Sequence, residues 1–381
     1  MSEVLIERKF YKDLLDRNLN SFRKGQGKNI ALLGPRKSGK TTLLKYTVRA
    51  QNDLSSVYID LEKISLNPEN FSIEFIGNVL FNFLKKDVKE YRNFLDIHYL
   101  VSLKEHINEK AFELLKSTEN ELLKIKPDQK LLVENALNFP ELLAADNNRK
   151  IIIGIDNFEN ILDLNNFSQI KDILLLINWN SENVKYAVAS SAEKQMLHSL
   201  KDFETYEIKN LEKDEIFSLA KSILNLNDKE CQKVSDEVFS LTNGHLYASA
   251  LILKSYKNTK NVVKAFLVEL LTKDSELYNH CKNAVDYYYN RARGQTLLKT
   301  ILKVVANEEL RLTDIARKIY RSAPVTKSIL ERLMEVDIIS KKENKFCFND
   351  KVLGLWLRFT SQGYDSDSID DKILEELSRE L

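Results

Sequence analysis

Short apolar runs alternate with helical segments over the first 210 residues of the chain. Each run is four to six residues long, the length of a buried strand, and the runs occupy residues 29–33, 57–61, 150–155, 184–189 and 205–208. Residues 41–50 and 167–179 are predicted to be helices between strands, and the pattern over 67–146 is long and helical. This alternation predicts an α/β fold, in which a mostly parallel sheet is covered by helices on both faces.

The pattern changes after the last predicted strand. Residues 213–286 are helical throughout, apart from a break at Thr242, Asn243 and Gly244. Three more helices are predicted over 296–306, 313–320 and 325–336, and two short strands around 341–345. Helices followed by a hairpin in this order are typical of a winged helix-turn-helix. We therefore predict four parts: an α/β core over 1–210 with a helical insert at about 67–146, an α-helical lid over 211–290, a winged helix over 295–360 and an acidic tail over 364–381.

Composition narrows the class of protein. Hydrophobic residues make up 43% and charged residues 30% of the 381 residues, with only 10 glycines and 5 prolines, so we expect a folded, helix-rich, water-soluble chain. The net charge of +1 excludes a global field that would attract nucleic acid or an anionic membrane. Cys231, Cys281 and Cys347 lack zinc or disulfide spacing. Because no apolar run is long enough for a membrane span or a leader, the sequence predicts a cytoplasmic protein.

A phosphate-binding loop lies between the first predicted strand and the helix after it. Eight consecutive residues match the pattern G-x-x-x-x-G-K-[ST]: Gly34, Pro35, Arg36, Lys37, Ser38, Gly39, Lys40 and Thr41. In this pattern the glycines let backbone N–H groups cradle phosphate oxygens at a helix N-terminus. Lys40 is expected to reach the β and γ phosphates and Thr41 to hold Mg²⁺. These residues, with Thr42, are the predicted binding site for ATP or ADP.

Asp156 is the predicted second residue on the magnesium side. It ends the apolar run 151–155, and a buried strand that delivers one carboxylate to its carboxyl end is typical of the Walker B position. Many core strands end in Asp, so the run by itself does not indicate a Walker B strand. Its position after the phosphate loop in the chain supports that interpretation. We expect Thr41 and Asp156 together to hold Mg²⁺.

Polar residues that follow two later elements are further candidates for contacts with the nucleotide. Ser190 and Ser191 end the run 184–189 and would lie beside the γ-phosphate if that strand neighbours the first one, although serines there also cap helices. His245 follows the break at Gly244, where a lid helix would point its N-terminus at the nucleotide, although a single histidine is more often structural.

Charge is concentrated in the predicted winged helix. Residues 297–360 contain 13 basic and 8 acidic residues, whereas 365–380 contain 7 acidic and 2 basic ones. Five basic residues are placed where phosphate contacts with double-stranded DNA would form: Lys327, Arg332, Lys341, Lys342 and Lys345. The alternative is a winged helix that docks a protein partner. The acidic tail is predicted to be a terminal helix, and we hypothesise that it folds back on the winged helix.

The order of motifs resembles the archaeal ATPase family, relatives of AAA+ and STAND proteins. The segment from Gly34 to Leu44 resembles G-P-R-R-x-G-K-[ST]-[ST]-L-L, in which the arginine after proline is typical. Further segments resemble family motifs in the same order: 136–141 (A-L-x-L-P-E), 156–159 (D-E-F-Q), 190–193 (G-S-x-E), 242–247 (T-x-G-H-P-Y) and 348–357 (D-P-x-x-x-x-W-L). The resemblance covers nearly the whole chain and implies nucleotide binding more firmly than turnover.

The chain departs from this family at the residue that would activate water. AAA-type ATPases commonly carry a glutamate after the Walker B aspartate, whereas this chain has Asn157, whose amide accepts no proton. Glu159 is the nearest substitute, and we expect it to reach the site if the chain stays extended; the alternative is a solvated glutamate at a helix start. The sequence thus predicts an ATP-driven molecular switch with Lys40, Asp156, Glu159 and Ser190 as its catalytic residues. The alternatives are a hydrolysis-deficient nucleotide-binding adaptor and, third, a P-loop small-molecule kinase.

Overall fold

The structure is a computed structural model that describes residues 8–49, 54–145, 149–292 and 295–381. Residues 1–7, the predicted helix end at 50 and the predicted insert end at 146 lie outside the described residues. The predicted parallel sheet is present and has five strands. They are β1 (Ile30–Leu33), β2 (Ser55–Asp60), β3 (Ile151–Asp156), β4 (Val184–Ser190) and β5 (Glu204–Glu207).

All neighbouring strands pair in parallel, in the order β2-β3-β4-β1-β5. Every predicted strand is therefore confirmed, with ends shifted by at most two residues. Because parallel strands end at one edge of a sheet, this order brings the segments after β1, β3 and β4 together. The six residues of β3 are all buried, as expected for a strand covered on both faces.

Helices cover both faces of the sheet. They are α1 (Lys9–Arg23), α2 (Lys40–Arg49), α3 (Pro68–Phe83), α4 (Ile97–Ser102), α5 (Glu109–Leu122), α6 (Gln129–Ala145) and α7 (Glu193–Ser199). On one face α2 crosses β3 at Gly154, where a Cβ atom would lie 2.7 Å from Cγ1 of Val48. Glycine therefore permits the close approach of α2 to β3. The opposite face is filled by aromatic side chains of the insert, among them Phe71, Phe75 and Phe139.

The predicted helix over 167–179 is wrong. The chain between β3 and β4 instead forms two 3₁₀ segments, Phe158–Asn166 and Ile173–Leu176. The Asp172 side chain accepts the amide of Leu174, and the Asn165 side chain accepts the amide of Ile173. These short-range bonds stabilise turns in place of an α-helix, because Asn and Asp side chains compete for backbone donors.

The remaining residues form a largely helical region. Its helices are α8 (Lys213–Ile223), α9 (Asp228–Thr242), α10 (Leu246–Thr259), α11 (Val262–Leu271), α12 (Glu276–Arg291), α13 (Gln295–Asn307), α14 (Leu312–Lys318), α15 (Ala323–Glu335), α16 (Lys351–Ser361) and α17 (Asp371–Ser378). The break at 242–244 is confirmed, because α9 ends there with Asn243 in the left-handed conformation. A three-stranded antiparallel sheet lies among the later helices, formed by β6 (Leu310–Arg311), β7 (Ile339–Lys342) and β8 (Lys345–Phe348).

One hydrophobic core runs through this whole region. It contains buried side chains from Leu211 at the start of the predicted lid to Leu377 in α17. Helix α17 packs through Leu374 and Leu377, and its segment forms ion pairs between Lys264 and Asp371 and between Arg358 and Glu380. The tail thus packs against α11 and the end of α16. No helix among the described residues is long and apolar enough to cross a membrane.

Candidate functional site

The glycine-rich loop joins β1 to α2 and has a strained backbone. Gly34, Lys37 and Gly39 have φ angles of 150°, 59° and 100°. A Cβ atom at Gly34 would lie 2.3 Å from the carbonyl oxygen of Ile208, so this position requires glycine. The loop therefore has a compact turn that ends at the N-terminus of α2, where backbone N–H groups remain available for an anion.

Lys40 is buried in this loop. Its Nζ donates to the carbonyl oxygens of Gly34 (2.9 Å) and Pro35 (2.6 Å). Burial lowers the pKa of Lys40 to about 8, although Glu159 and Asp156 act in the opposite direction. A buried ammonium group with a lowered pKa gains much from a nearby anion, because an anion restores the stability of the charged form.

Two polar side-chain atoms of the loop are buried and have no hydrogen-bond partner in the described part of the chain. Among the described residues, nothing hydrogen-bonds Nη1 of Arg36 or Oγ of Ser38. The Nη2 atom of Arg36 donates to Glu62 at 3.2 Å, and the guanidinium lies 4.2 Å from the ring centroid of Tyr287. Buried donors without partners are rare in folded proteins and indicate a site that a polar ligand completes.

The predicted Mg²⁺ residues belong to neighbouring elements. Thr41 and Thr42 are exposed in the first turn of α2, and Asp156 is buried at the end of β3, which α2 crosses. Tyr58 donates to Oδ2 of Asp156 at 2.9 Å, and burial together with Asp156 raises the pKa of Tyr58. The phenol therefore stays protonated and holds the carboxylate in place.

The side chain after Asp156 is bound to the end of the neighbouring strand. Asn157 has a φ of 52°, in the left-handed region, and its Nδ2 donates to Oδ1 of Asp60 at 2.8 Å. Asp60 ends β2 and pairs in register with Asp156. The side chain at position 157 is therefore bound to the neighbouring strand end.

Glu159 lies inside the molecule, at 0% exposure. The expectation that the chain stays extended is wrong, because a 3₁₀ segment starts at Phe158; the alternative of a solvated surface glutamate is wrong as well. Ser191 donates to Oε1 of Glu159 from its hydroxyl at 2.6 Å, and Tyr287 donates to the same oxygen at 3.0 Å. Burial by itself would raise the pKa of Glu159, but hydrogen bonds from Ser191 and Ser190 lower it below its usual value.

The serines after β4 lie beside the end of the first strand. Ser190 pairs in register with Leu33, which directly precedes the loop, so the predicted neighbourhood of the two strands is confirmed. The Ser190 hydroxyl accepts the amide of Ala192 at 3.1 Å, which is the capping role that the sequence left open. Ser190 is 1% exposed, next to the buried Glu159.

His245 is the N-cap of α10, the helix that approaches the loop. Its Nδ1 accepts the amide of Ala248, and the next residue, Leu246, lies 3.4 Å from where a Cβ atom of Gly39 would be. His245 Nε2 is buried without a hydrogen-bond partner among the described residues and lies 3.6 Å from Oδ2 of Asp350. The first residue of α10 therefore lies against the loop at Gly39.

A possible metal cluster adjoins this histidine. Ligand atoms of His245, His280 and Asp350 lie within 4.8 Å of one another, and burial lowers the pKa of His280 to about 4. However, Nδ1 of His245 accepts a backbone N–H, which leaves the ring proton on Nε2. Because a metal needs the lone pair of that nitrogen, His245 is not arranged as a ligand.

The predicted DNA-contact residues have different surroundings. Lys341, Lys342 and Lys345 are exposed on the β7–β8 hairpin, and Lys327 is exposed on α15, 3.7 Å from Glu331. The prediction that Arg332 is exposed for DNA contact is wrong. Arg332 is half-buried, and its Nη1 donates to the carbonyl of Ala292 at 3.2 Å. The guanidinium of Arg332 therefore joins α15 to the end of α12 and is not displayed for DNA.

Sequence reasoning missed Tyr58, Asp60, Tyr287 and Arg291. Asp60 ends β2 as Asp156 ends β3, but the predicted strand ran on to residue 61 and so hid it. Tyr287 and Arg291 carry no local signal, because they contact Glu159 and Asn160 from about 130 residues further along the chain. Their position depends on how α12 packs against the α/β core.

Comparisons with known proteins give one family match over part of the chain and a set of solved structures. Residues 26–113 match the family model described as AAA domain. A solved structure, the Walker-type ATPase of Pyrococcus abyssi, is 16% identical with a TM-score of 0.61, over 93% of this chain and 96% of that one. The RuvB Holliday junction branch migration motor of Thermotoga maritima is 12% identical with a TM-score of 0.38, over 95% and 96%. No curated protein matches this chain in sequence.

The parallel sheet and the loop at the end of β1 define a P-loop NTPase core. The AAA domain match over residues 26–113 supports the resemblance to archaeal AAA+ P-loop ATPases that the motifs of that segment carry. The likeness to the Walker-type ATPase, at 16% identity, shows a similar fold.

Proposed function

We propose that this protein is a molecular switch that binds Mg-ATP at the loop 34–42 and hydrolyses it slowly. Lys40 and the loop would bind the phosphates, Thr41 and Asp156 would hold Mg²⁺, Ser190 would contact the γ-phosphate and Glu159 would orient the attacking water. His245 would approach the nucleotide from the lid. Mg²⁺ supplies charge neutralisation on the phosphates when it is bound.

The observation that carries the proposal is the set of buried, unsatisfied donors around the loop. Nη1 of Arg36 and Oγ of Ser38 have no hydrogen-bond partner among the residues described, and Lys40 is buried with a lowered pKa. A polyphosphate supplies acceptors for both groups and a charge for Lys40. This donor set fits a nucleotide better than it fits a neutral ligand.

The switch role is supported by the shared hydrophobic core of the residues that follow β5. Since the lid helices and the C-terminal helices pack in one core, we expect them to move as one body relative to the α/β sheet. Contacts across this boundary come from α12, through Tyr287 and Arg291, and from the ion pair of Lys194 with Asp337. Nucleotide state would thus change the orientation of the whole C-terminal half.

A winged-helix role for residues 295–360 is supported by the order of elements and by charge. A helix, a short strand, two helices and a hairpin follow one another in α13, β6, α14, α15 and β7–β8. The hairpin displays Lys341, Lys342 and Lys345, the position from which a wing contacts DNA phosphates. We propose double-stranded DNA as the partner, with a protein as the alternative.

A hydrolysis-deficient adaptor is the second candidate, and the surroundings of Glu159 favour it. The carboxylate is fully buried and accepts hydrogen bonds from Ser191 and Tyr287, so in this conformation it has no access to a water nucleophile.

ATP binding and hydrolysis by the purified chain test the two candidates. Binding of Mg-ATP and Mg-ADP is measured by calorimetry, and phosphate release is followed at saturating Mg-ATP, with and without duplex DNA. Lys40→Ala should weaken binding by more than about tenfold, whereas the exposed Lys28→Ala serves as a matched control.

Glu159→Gln should abolish turnover and leave ATP affinity within about twofold. If the wild type turns over ATP no faster than Lys40→Ala does, the adaptor is supported instead. Absence of nucleotide binding in the wild type would contradict both candidates.

A further inference from the structure

We propose that Tyr287 of α12 is a positioning residue that holds Glu159 away from the reaction and releases it when the loop engages a γ-phosphate. This inference rests on the proposed function, because it gives that site a regulatory contact. The Tyr287 hydroxyl donates to Oε1 of Glu159 at 3.0 Å, across 128 residues of sequence.

Both hydroxyl donors that contact Glu159 in the hydrogen bonds described below bind the same carboxylate oxygen, Oε1. Oε1 accepts the hydroxyls of Ser191 (2.6 Å) and Tyr287 (3.0 Å), and the Ser191 amide lies 3.3 Å from both carboxylate oxygens. A general base must have an acceptor position directed at the water whose proton it takes. Among these contacts only the one from Tyr287 comes from outside the α/β core, so only it is lost when the lid moves.

Tyr287 is also connected to the phosphate loop. Its ring contacts two guanidinium groups, those of Arg36 at 4.2 Å and Arg291 at 5.5 Å from the ring centroid. Arg291 is one helical turn further along α12 and donates to Oδ1 of Asn160 at 3.1 Å. Two guanidinium groups therefore contact the tyrosine ring, and its hydroxyl donates to Glu159.

Arg36 is the group for which Tyr287 and a phosphate compete. Its Nη1 is buried without a hydrogen-bond partner in the described part of the chain, and it belongs to the loop that would bind the nucleotide. A phosphate forms a charge-assisted bidentate contact with a guanidinium, which is stronger than a cation–π contact. Binding of the γ-phosphate would withdraw Arg36 from the ring and remove one of its two supports.

The same contact would report nucleotide state to the C-terminal half. Helix α12 is anchored in the shared core by Leu277, Cys281 and Val285, which are buried there. Movement of α12 that separates Tyr287 from Glu159 would therefore be passed to the basic hairpin, whose Ile339 and Phe346 lie in the same core. Release of the carboxylate and movement of the proposed DNA-binding surface are two results of one event.

The test compares Tyr287→Phe with Tyr289→Phe, a buried tyrosine of the same helix that has no hydrogen bond to the α/β core among the described contacts. Both variants lose one hydroxyl, and their folding is checked by circular dichroism. Tyr287→Phe should raise kcat for ATP about tenfold with little change in KM, because one hydrogen bond to a charged group is removed. Tyr289→Phe should match the wild type.

Two further readouts separate positioning from a general loosening of the fold. Loss of the Tyr287 hydrogen bond should raise the pKa of Glu159, so the acidic limb of the kcat–pH profile should move to higher pH. The double variant Tyr287→Phe/Glu159→Gln should be no faster than Glu159→Gln alone.

ATP binding is measured in every variant, so that the two proposals fail differently. Unchanged or lower kcat in Tyr287→Phe, with intact ATP binding, overturns this inference and leaves the proposed function standing. A faster double variant also overturns it, because the gain would then not pass through Glu159. Absence of ATP binding in the wild type overturns the proposed function and this inference together.

Discussion

Lys40 is a buried cation whose charge state depends on its surroundings. The ammonium group donates to two carbonyl oxygens of the loop, and burial lowers its pKa to about 8. Since the neutral amine is the form favoured by burial, an anion that binds beside it must supply the stabilisation of the charge.

This property predicts a pH dependence of nucleotide affinity. Phosphate binding needs protonated Lys40. The affinity for nucleotide should therefore be highest below pH 8 and should fall above it, by up to about tenfold per pH unit. Calorimetric titration of Mg-ADP between pH 7 and 9.5 checks this. Lys40→Met should bind more weakly and show no such slope, and a flat wild-type profile over this range would contradict the prediction.

Asn157 occupies the place of the usual catalytic glutamate but contacts a different group. Its amide donates to Asp60, and its backbone is left-handed. Asn157→Glu is therefore predicted not to raise ATP turnover and to destabilise the chain at pH 7, because two carboxylates would meet.

The matched control is Asn157→Gln, which carries the same backbone strain and keeps an amide donor. At pH 7 the Glu variant should be about 1–2 kcal/mol less stable than the Gln variant in urea unfolding. A glutamate beside Asp60 has a raised pKa when folded, so the difference should shrink as the pH falls toward 4. Equal stability at both pH values would refute this account.

At the scale of elements, the approach of α2 to β3 positions the loop relative to Asp156. Gly154 lies under α2, where an added Cβ atom would be 2.7 Å from Cγ1 of Val48 and 3.3 Å from Cδ1 of Leu44. The helix can lie this close because β3 carries no side chain at that point.

Gly154→Ala is predicted to destabilise the protein by about 1–3 kcal/mol through overpacking. Val48→Ala removes the atom that the new methyl group meets, so the double variant should be more stable than the sum of the two single changes predicts. Urea midpoints of the four proteins measure this coupling. Strict additivity would mean that α2 does not contact β3 at Gly154.

At the scale of the whole molecule, the basic residues of the C-terminal region separate into two groups. Lys341, Lys342 and Lys345 are exposed on the hairpin, whereas Arg332 is half-buried against Ala292. Only part of the positive charge that the sequence concentrates in residues 297–360 is therefore exposed on the surface.

The proposed DNA contact predicts a change in salt dependence. Replacing Lys341, Lys342 and Lys345 together by alanine should weaken duplex binding and reduce the slope of log K against log salt by up to about 2.7. Replacing three exposed lysines of the insert, Lys89, Lys110 and Lys126, is the matched control and should leave the slope unchanged. Fluorescence anisotropy measures both, and an equal effect of the two sets would argue against the hairpin as the DNA-binding surface.

The sequence by itself determined the strands and the phosphate loop. Each strand is a short apolar run, and the loop from Gly34 to Thr41 needs its residue types in adjacent positions, so both are encoded locally. The helix predicted over 167–179 failed because a continuous apolar run carries no period and local Asn and Asp bonds decided its shape.

Only the tertiary structure decided how the site is closed. The contact of Tyr287 with Glu159 and the burial of Arg332 join residues far apart in the chain, and no local pattern encodes such pairs. The same holds for the single core that unites the helices after β5. Local sequence specifies which groups bind phosphate, whereas long-range packing specifies which of them are free to react, because burial and hydrogen-bond partners are set by the whole fold.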